Sequence, residues 1–179
     1  MLTVGHGTLP AEDLRALLAG AGVTLLVDVR RHPGSRRHPH VARDALAVWL
    51  PEAGIAYRWE EALGDRRRGV PDSPNTGLRN ASFRAYADYM ATAAFRTAAT
   101  RLVAVSARQP TAVLCAESLW WRCHRRLLAD YLSLVERVAV RHLGHDGSLT
   151  SHTLTGGARP VGDHLVYAEG GTPSLPGLS

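Results

Sequence analysis

Apolar residues follow two different periods along this chain, and the switches between them outline an alternating series of elements. Leu2–Gly5 is a short apolar run ending in Gly5-His6-Gly7, which reads as a strand passing into a loop. Thr8 or Pro10 starts a helix, where Glu12 and Asp13 suit its electropositive first turn. Leu14, Leu17 and Leu18 share one face of that helix, and Gly20 and Gly22 stop it. Val23–Val27 is nearly continuous β-favouring hydrophobe, the pattern of a strand buried on both faces, and Asp28 closes it. Polar residues fill Val29–His40, helical period resumes over Ala42–Leu50, and Ile55–Trp59 reads as a third strand.

Glu60–Asn80 is long and irregular, as functional or mobile loops often are. Ser82 is the expected cap of the next helix, with Phe83, Tyr86, Ala87 and Met90 as its stripe. A further helix is expected from about Phe95 to Val105, and a fourth strand over Thr111–Leu114, ending at Cys115. His124–Arg137 is helical, with Leu127, Leu128, Tyr131, Leu132 and Val135 on one side, and Val138–Leu143 is a fifth strand. Strands alternating with helices predict an α/β fold: a mainly parallel sheet with helices on both faces, a three-layer Rossmann-like or flavodoxin-like arrangement. Residues 1–145 carry it. Residues 146–179, rich in Gly, Ser, Thr, Pro and His, read as an extension with an edge hairpin around His164–Ala168 and then a flexible tail. Ligands of such sheets bind beyond the carboxyl ends of the strands.

With 179 residues, 45% of them hydrophobic, the chain is long enough for one domain with a real core. No stretch approaches the roughly 20 apolar residues of a membrane helix, so no membrane partner is expected. The start, Met1–His6, lacks the basic-then-apolar pattern of a secretion signal, so the cytoplasm is the expected compartment. In that reducing setting Cys115 and Cys123 are a local chemical feature and not a disulfide framework. Net charge is +5, and all 21 basic residues are Arg. The lack of Lys fits GC-rich codon usage; the clustering of Arg bears on function, because guanidinium binds phosphate and carboxylate through paired bonds.

Three strand ends are unusually polar: Gly5-His6-Gly7-Thr8, the run from Asp28 to His38, and the run from Cys115 to Arg126. In a parallel sheet all three lie on one edge, where a site can assemble. Several pieces of the chain are arranged as in one bacterial family. They are Val4-Gly5-His6, Val27-Asp28-Val29-Arg30 with Pro33-Gly34-Ser35-Arg36, Tyr86-Ala87-Asp88-Tyr89-Met90, and Cys115-Ala116-Glu117 followed by Cys123-His124-Arg125. From Leu2 to about Leu143 the chain thereby resembles the domain of unknown function 488 family. It departs from the family's Leu-Gly-Gly at Leu63-Gly64-Asp65. The resemblance implies the fold and the site, and leaves the reaction open.

The residues themselves supply candidate roles. Asp28 is a base, an orienting group, or half of an ion pair with a nearby Arg, and Arg30 is a candidate for binding an anionic substrate. Ser35, Arg36 and the backbone of Pro33-Gly34 form a candidate anion site. Cys115 is a candidate nucleophile, although the bulky Trp120 and Trp121 stand where an anion-wrapping loop needs small residues. Cys115, Cys123 and His124 form a possible metal set, with a fourth ligand from Glu117, His6 or the His32–His40 loop; simple packing of two thiols competes, and no cofactor is called for. His124 with Glu117 is a candidate proton-shuttling pair. Arg125 and Arg126 at a helix start are candidate phosphate clamps, with Cys123 beside them. Trp120 and Trp121 are candidate stacking surfaces, one expected to be buried and one to line the site. His6 is a further acid/base candidate.

These parts favour an enzyme acting on a nucleotide or nucleic acid, through glycosidic or phosphate bond chemistry of the kind used in DNA processing or repair. Two alternatives remain open: a non-catalytic nucleic-acid-binding module, and a cysteine-dependent sulfur-transfer or phosphatase-like enzyme. All three imply an anionic partner.

Overall fold

The computed structural model describes residues 1–168; the tail expected beyond the hairpin lies outside them. Among the described residues, eight strands and five α-helices follow one another. β1 (Leu2–Gly5) leads through α1 (Ala11–Gly20) to β2 (Leu25–Asp28), and α2 (Arg43–Glu52) leads to β3 (Ala56–Trp59). Two helices, α3 (Ala81–Met90) and α4 (Ala93–Ser106), precede β4 (Thr111–Cys115), and α5 (Arg125–Leu134) precedes β5 (Arg141–Leu143). β6 (Leu149–Ser151), β7 (Ala158–Val161) and β8 (His164–Tyr167) complete the described residues.

The main sheet has the order β3-β2-β4-β1-β5-β6. Every pairing in it is parallel except that of β5 with β6. Alternating side chains divide the core into two layers. Val4, Leu26, Ala112 and Leu114 face α1 and α2, where they meet Leu14, Leu18, Leu46 and Leu50. Val27 and Val113 face the opposite way, toward Tyr86, Phe95, Leu102, Leu128 and Leu132 of α3, α4 and α5. The three-layer α/β architecture is therefore as the hydrophobic pattern implies.

Local chemistry sets the boundaries. Asn80, two residues earlier than Ser82, caps α3: its side-chain oxygen accepts from the amides of Ser82 and Phe83 at 2.9 and 3.1 Å. The fifth strand is shorter than its hydrophobic run, because pairing covers only Arg141–Leu143. The hairpin β7–β8 forms its own two-stranded sheet, and it is β6 that adds the antiparallel edge. Tyr167 of β8 is fully buried in the α3–α5 layer. Its hydroxyl donates to Asp130 of α5 at 3.0 Å, and its amide donates to Asn75 at 3.0 Å. No helix among the described residues is long and apolar enough to cross a membrane.

The chain leaves β1 toward α1 on one face, while its neighbour β4 leads to α5 on the other. Such a parting of connections is where open α/β sheets bind their ligands, beyond the carboxyl edge. There the ladder runs past the strands: the amides of His6 and Gly7 donate to the carbonyls of Cys115 and Ala116 at 3.0 and 2.8 Å. Gly5 permits this approach, since a Cβ at that position would collide with the Glu117 carbonyl and sit 2.8 Å from the Arg125 guanidinium. Gly5→Ala is expected to lower stability by roughly 1–3 kcal/mol, the usual cost of overpacking, measurable as a reduced midpoint of urea unfolding.

Candidate functional site

Alternation across the sheet divides the polar strand ends into two groups. On the α1–α2 face, Asp28 is fully buried and receives Arg30 through Nε at 2.9 Å and Nη2 at 2.6 Å, a bidentate pair. Tyr57 Oη also donates to Asp28, at 2.9 Å. Arg30 Nη1 donates to His6 Nε2 at 3.1 Å, so the His6 proton sits on Nδ1, which donates to the Gly7 carbonyl at 2.9 Å. Burial, reinforced by the Arg30 charge, pushes His6 down to about 4. His6 is thus a neutral imidazole with both nitrogens engaged. Arg30 Nη2 also donates to the Val41 carbonyl, at 2.7 Å. The aspartate–arginine pair weighed from sequence is present, and it carries His6 with it.

On the α3–α5 face, β4 ends in Cys115, and the loop after it returns Cys123 and His124 at the start of α5. The two sulfurs are 3.1 Å apart, and His124 Nδ1 lies 3.6 Å from each. All three residues are buried. Glu117 does not reach His124. It is exposed, and its Oε1 accepts from the Leu119 amide at 3.3 Å. The carboxylate near His124 is instead Asp65, 3.7 Å from Nδ1 and 43% exposed. It comes from the long loop, at the position where the chain departs from Leu-Gly-Gly. The Cys115 thiol is pushed well up by its hydrogen bond to Cys123 and by burial. Burial also raises Cys123, but the Cys115 hydrogen bond and the His124 charge outweigh it and bring that thiol well down. Burial opposes the charge on His124, and the Cys123 thiolate overcomes this, raising the imidazole above its ordinary value.

Arg125 turns inward. Its guanidinium donates to the Glu117 and Ser118 carbonyls and to Thr3 Oγ1, the last at 3.4 Å. A hydrogen-bonded chain continues from Thr3 Oγ1 to His142 Nδ1 at 2.7 Å, from His142 Nε2 to His152 Nδ1 at 3.0 Å, and from His152 Nε2 to Asp130 at 2.8 Å. Both ring nitrogens of each histidine are thereby engaged, and the line ends on the buried Asp130 carboxylate. Burial, with help from His152 and Arg125, lowers His142 to about 3. Trp120 stacks on His142 with ring centroids 4.1 Å apart, while Trp121 is 49% exposed. Neither tryptophan is fully buried: Trp120 is half-buried and covers the histidine chain, and Trp121 faces solvent. Arg126 donates to Thr155 Oγ1 at 2.7 Å, so it too is tied to the protein.

Other arginines at the same edge are exposed. Arg31 Nη1 donates to the Arg66 carbonyl at 2.7 Å, joining the loop after β2 to the loop after β3. Arg36, Arg37, Arg66 and Arg68 are exposed on these two loops. Arg66 has φ 58°, a left-handed conformation costly for a side chain of that size. A groove of about 350 Å³ beside the loop is lined by Arg31, His32, Gly34, Trp59 and the ion pair of Arg43 with Asp44, among others. Arg43 lies over the Trp59 ring at 4.8 Å, and Trp59 Nε1 donates to the Arg30 carbonyl at 2.9 Å. Ser35 serves the loop's own turn, its hydroxyl accepting from the His38 amide at 2.9 Å. A larger depression of about 530 Å³ on α1, lined by Leu9, Leu17, Leu143 and Leu149 among others, holds none of the residues predicted to act.

The family model described as domain of unknown function DUF488 matches residues 10–132. This chain belongs to that family. No curated protein and no solved structure matched it. The match takes in Asp28, Arg30 and Tyr57 of one cluster and Cys115, Cys123 and His124 of the other, with His6 just before it, and it ends within α5. Thr3, His142 and His152, outside that span, complete the histidine chain. Asp65, Trp59, Asp130 and the two histidines escaped sequence reasoning because each is a single residue brought in by a different element. The alternation of His142 with the apolar Leu143 in a strand adjoining β1 was the one signal available.

Two outcomes follow. Asp28→Ala leaves the Arg30 guanidinium buried without its partner, so stability should fall by roughly 3–5 kcal/mol, read from chemical denaturation. His142 refuses a proton in the folded state, whereas the unfolded chain accepts one below about 6.5. The stability that His142 contributes is therefore complete above about pH 6.5 and is lost as pH falls toward 3, by at most about 1.4 kcal/mol per pH unit. The groups facing His142 are His152, Thr3, Trp120 and Arg125. Urea midpoints between pH 7 and pH 5 should fall less steeply in His142→Gln than in the natural chain.

Proposed function

We propose that this DUF488 protein is a cytoplasmic enzyme acting on a nucleotide or nucleic acid, by hydrolysis or group transfer at a phosphate or glycosidic bond. One observation carries the reading: the Arg31–Arg66 contact binds two arginine-rich loops into a single rim, and Asp65, next in sequence to Arg66, stands beside His124. An anionic chain laid along Arg36, Arg37, Arg66 and Arg68 would then run past the mouth of the buried thiol–imidazole cluster. The Trp59–Arg43 groove on the same loop supports the class of ligand, because an aromatic face beside a guanidinium suits a base next to a phosphate. Two free cysteines are in keeping with a reducing compartment.

In this reading the chemistry belongs to His124 and its neighbours, while Asp28, Arg30 and His6 shape the edge from the opposite face. Glu117 fits poorly as a proton-transfer partner of His124, given its distance from the imidazole network.

The test is binding of a labelled single-stranded oligonucleotide at several salt concentrations, with product analysis over a panel of nucleotides and oligonucleotides. Affinity should fall log-linearly with salt, and Arg66→Ala with Arg68→Ala should flatten the slope by about 0.7 for each phosphate no longer neutralised. His124→Gln should keep binding and lose product. Binding indifferent to salt and to both arginines would overturn the proposal. Salt-dependent binding without any product would leave the non-catalytic module as the better description.

A further inference from the structure

The cluster of Cys115, Cys123 and His124 has the composition and spacing of a metal-donor set. Its ligating atoms all lie within 4.8 Å of one another, and all three residues are buried. Bond lengths of about 2.3 Å to sulfur and 2.0–2.1 Å to imidazole nitrogen place neighbouring ligands of a tetrahedral zinc ion about 3.5–3.8 Å apart. Both sulfur–nitrogen distances, 3.6 Å, fall in that range. The sulfur pair, at 3.1 Å, would open by about 0.7 Å to accept an ion.

The side-chain partners of the two sulfurs are each other and His124, and sulfur is a weak hydrogen-bond partner. A cation would give all three a strong common partner. Asp65 stands at the open side of the cluster, 3.7 Å from Nδ1 and 43% exposed. It marks both an entry path from solvent and a fourth oxygen donor. Two thiolates, a carboxylate and a divalent ion leave one negative charge, which the adjacent buried Arg125 offsets.

We propose that Cys115, Cys123 and His124 bind a thiophilic divalent cation of the zinc class, with Asp65 or a water beside it at the fourth position. Thiolate and imidazole donors select such an ion over magnesium or calcium, which prefer oxygen. Binding releases two protons to solvent, one from the Cys115 thiol and one held by the Cys123–His124 pair. Three buried protein ligands with one position near the surface are the arrangement of a site that can exchange its fourth ligand. The inference stands apart from the nucleic-acid reading, because its test uses no substrate.

The experiment loads the chelator-treated full chain with Co²⁺, and separately with Zn²⁺. One equivalent of Co²⁺ should bind, with the visible bands of tetrahedral cobalt and a near-ultraviolet thiolate charge-transfer band. Cys115→Ser with Cys123→Ser should abolish the charge-transfer band, and Asp65→Asn should weaken binding at least about tenfold while keeping it. Because the cysteine variant is open to misfolding, alkylation of the natural protein gives a second reading. Zn²⁺ should protect both thiols, and a chelator should restore their reactivity. A folded natural chain that shows no charge-transfer band, or thiols alkylated equally fast with and without Zn²⁺, would overturn the proposal. So would an intact mass showing that Cys115 and Cys123 are joined by a disulfide in the presence of reductant.

Discussion

Each strand end can present its side chain to only one face of the sheet, and that alternation governs everything at the carboxyl edge. Leu26 points to α1 and α2, so Asp28 does too; Val113 points to α3–α5, and so does Cys115. The strands meet side by side, yet their chemistry is separated by the thickness of the backbone. One face holds a closed ionic knot of Asp28, Arg30, His6 and Tyr57. The other holds the thiols and imidazole, open at Asp65.

Hydrophobic period told most of the fold in advance, because burial on two faces is written directly into Val23–Val27 and Thr111–Leu114. Caps and edges were less legible. Ser82 and Asn80 are equally good capping residues in isolation, and only the path of the chain chooses Asn80. Site residues on regular strand ends, such as Asp28 and Cys115, could be found from position alone. Their partners could not. Asp65 reaches His124 from an aperiodic loop, and the choice between Glu117 and Asp65 depends on where that loop lies. Sequence reasoning likewise counted Arg30, Arg125 and Arg126 as available charge, whereas each is bound to groups that only the tertiary structure supplies.

Arg125 shows why a buried cation at a helix start is tolerated. Unfavourable with respect to the helix dipole, it is held by two carbonyls and Thr3, and it begins a hydrogen-bonded line that ends at Asp130. The line ties β1, β5, α5 and the residue after β6 together through polar groups within an otherwise apolar layer. A network of this kind specifies one arrangement of the elements, because any slip leaves a buried donor or acceptor unmet.

The far end of that line belongs to residues near the end of the chain. Tyr167 fills the α3–α5 layer and closes on Asp130 and Asn75. During synthesis the α1–α2 layer can collect once β4 and β5 have left the ribosome. The α3–α5 layer is completed only by β8, so until that strand emerges its apolar face stays open to solvent and to chaperones.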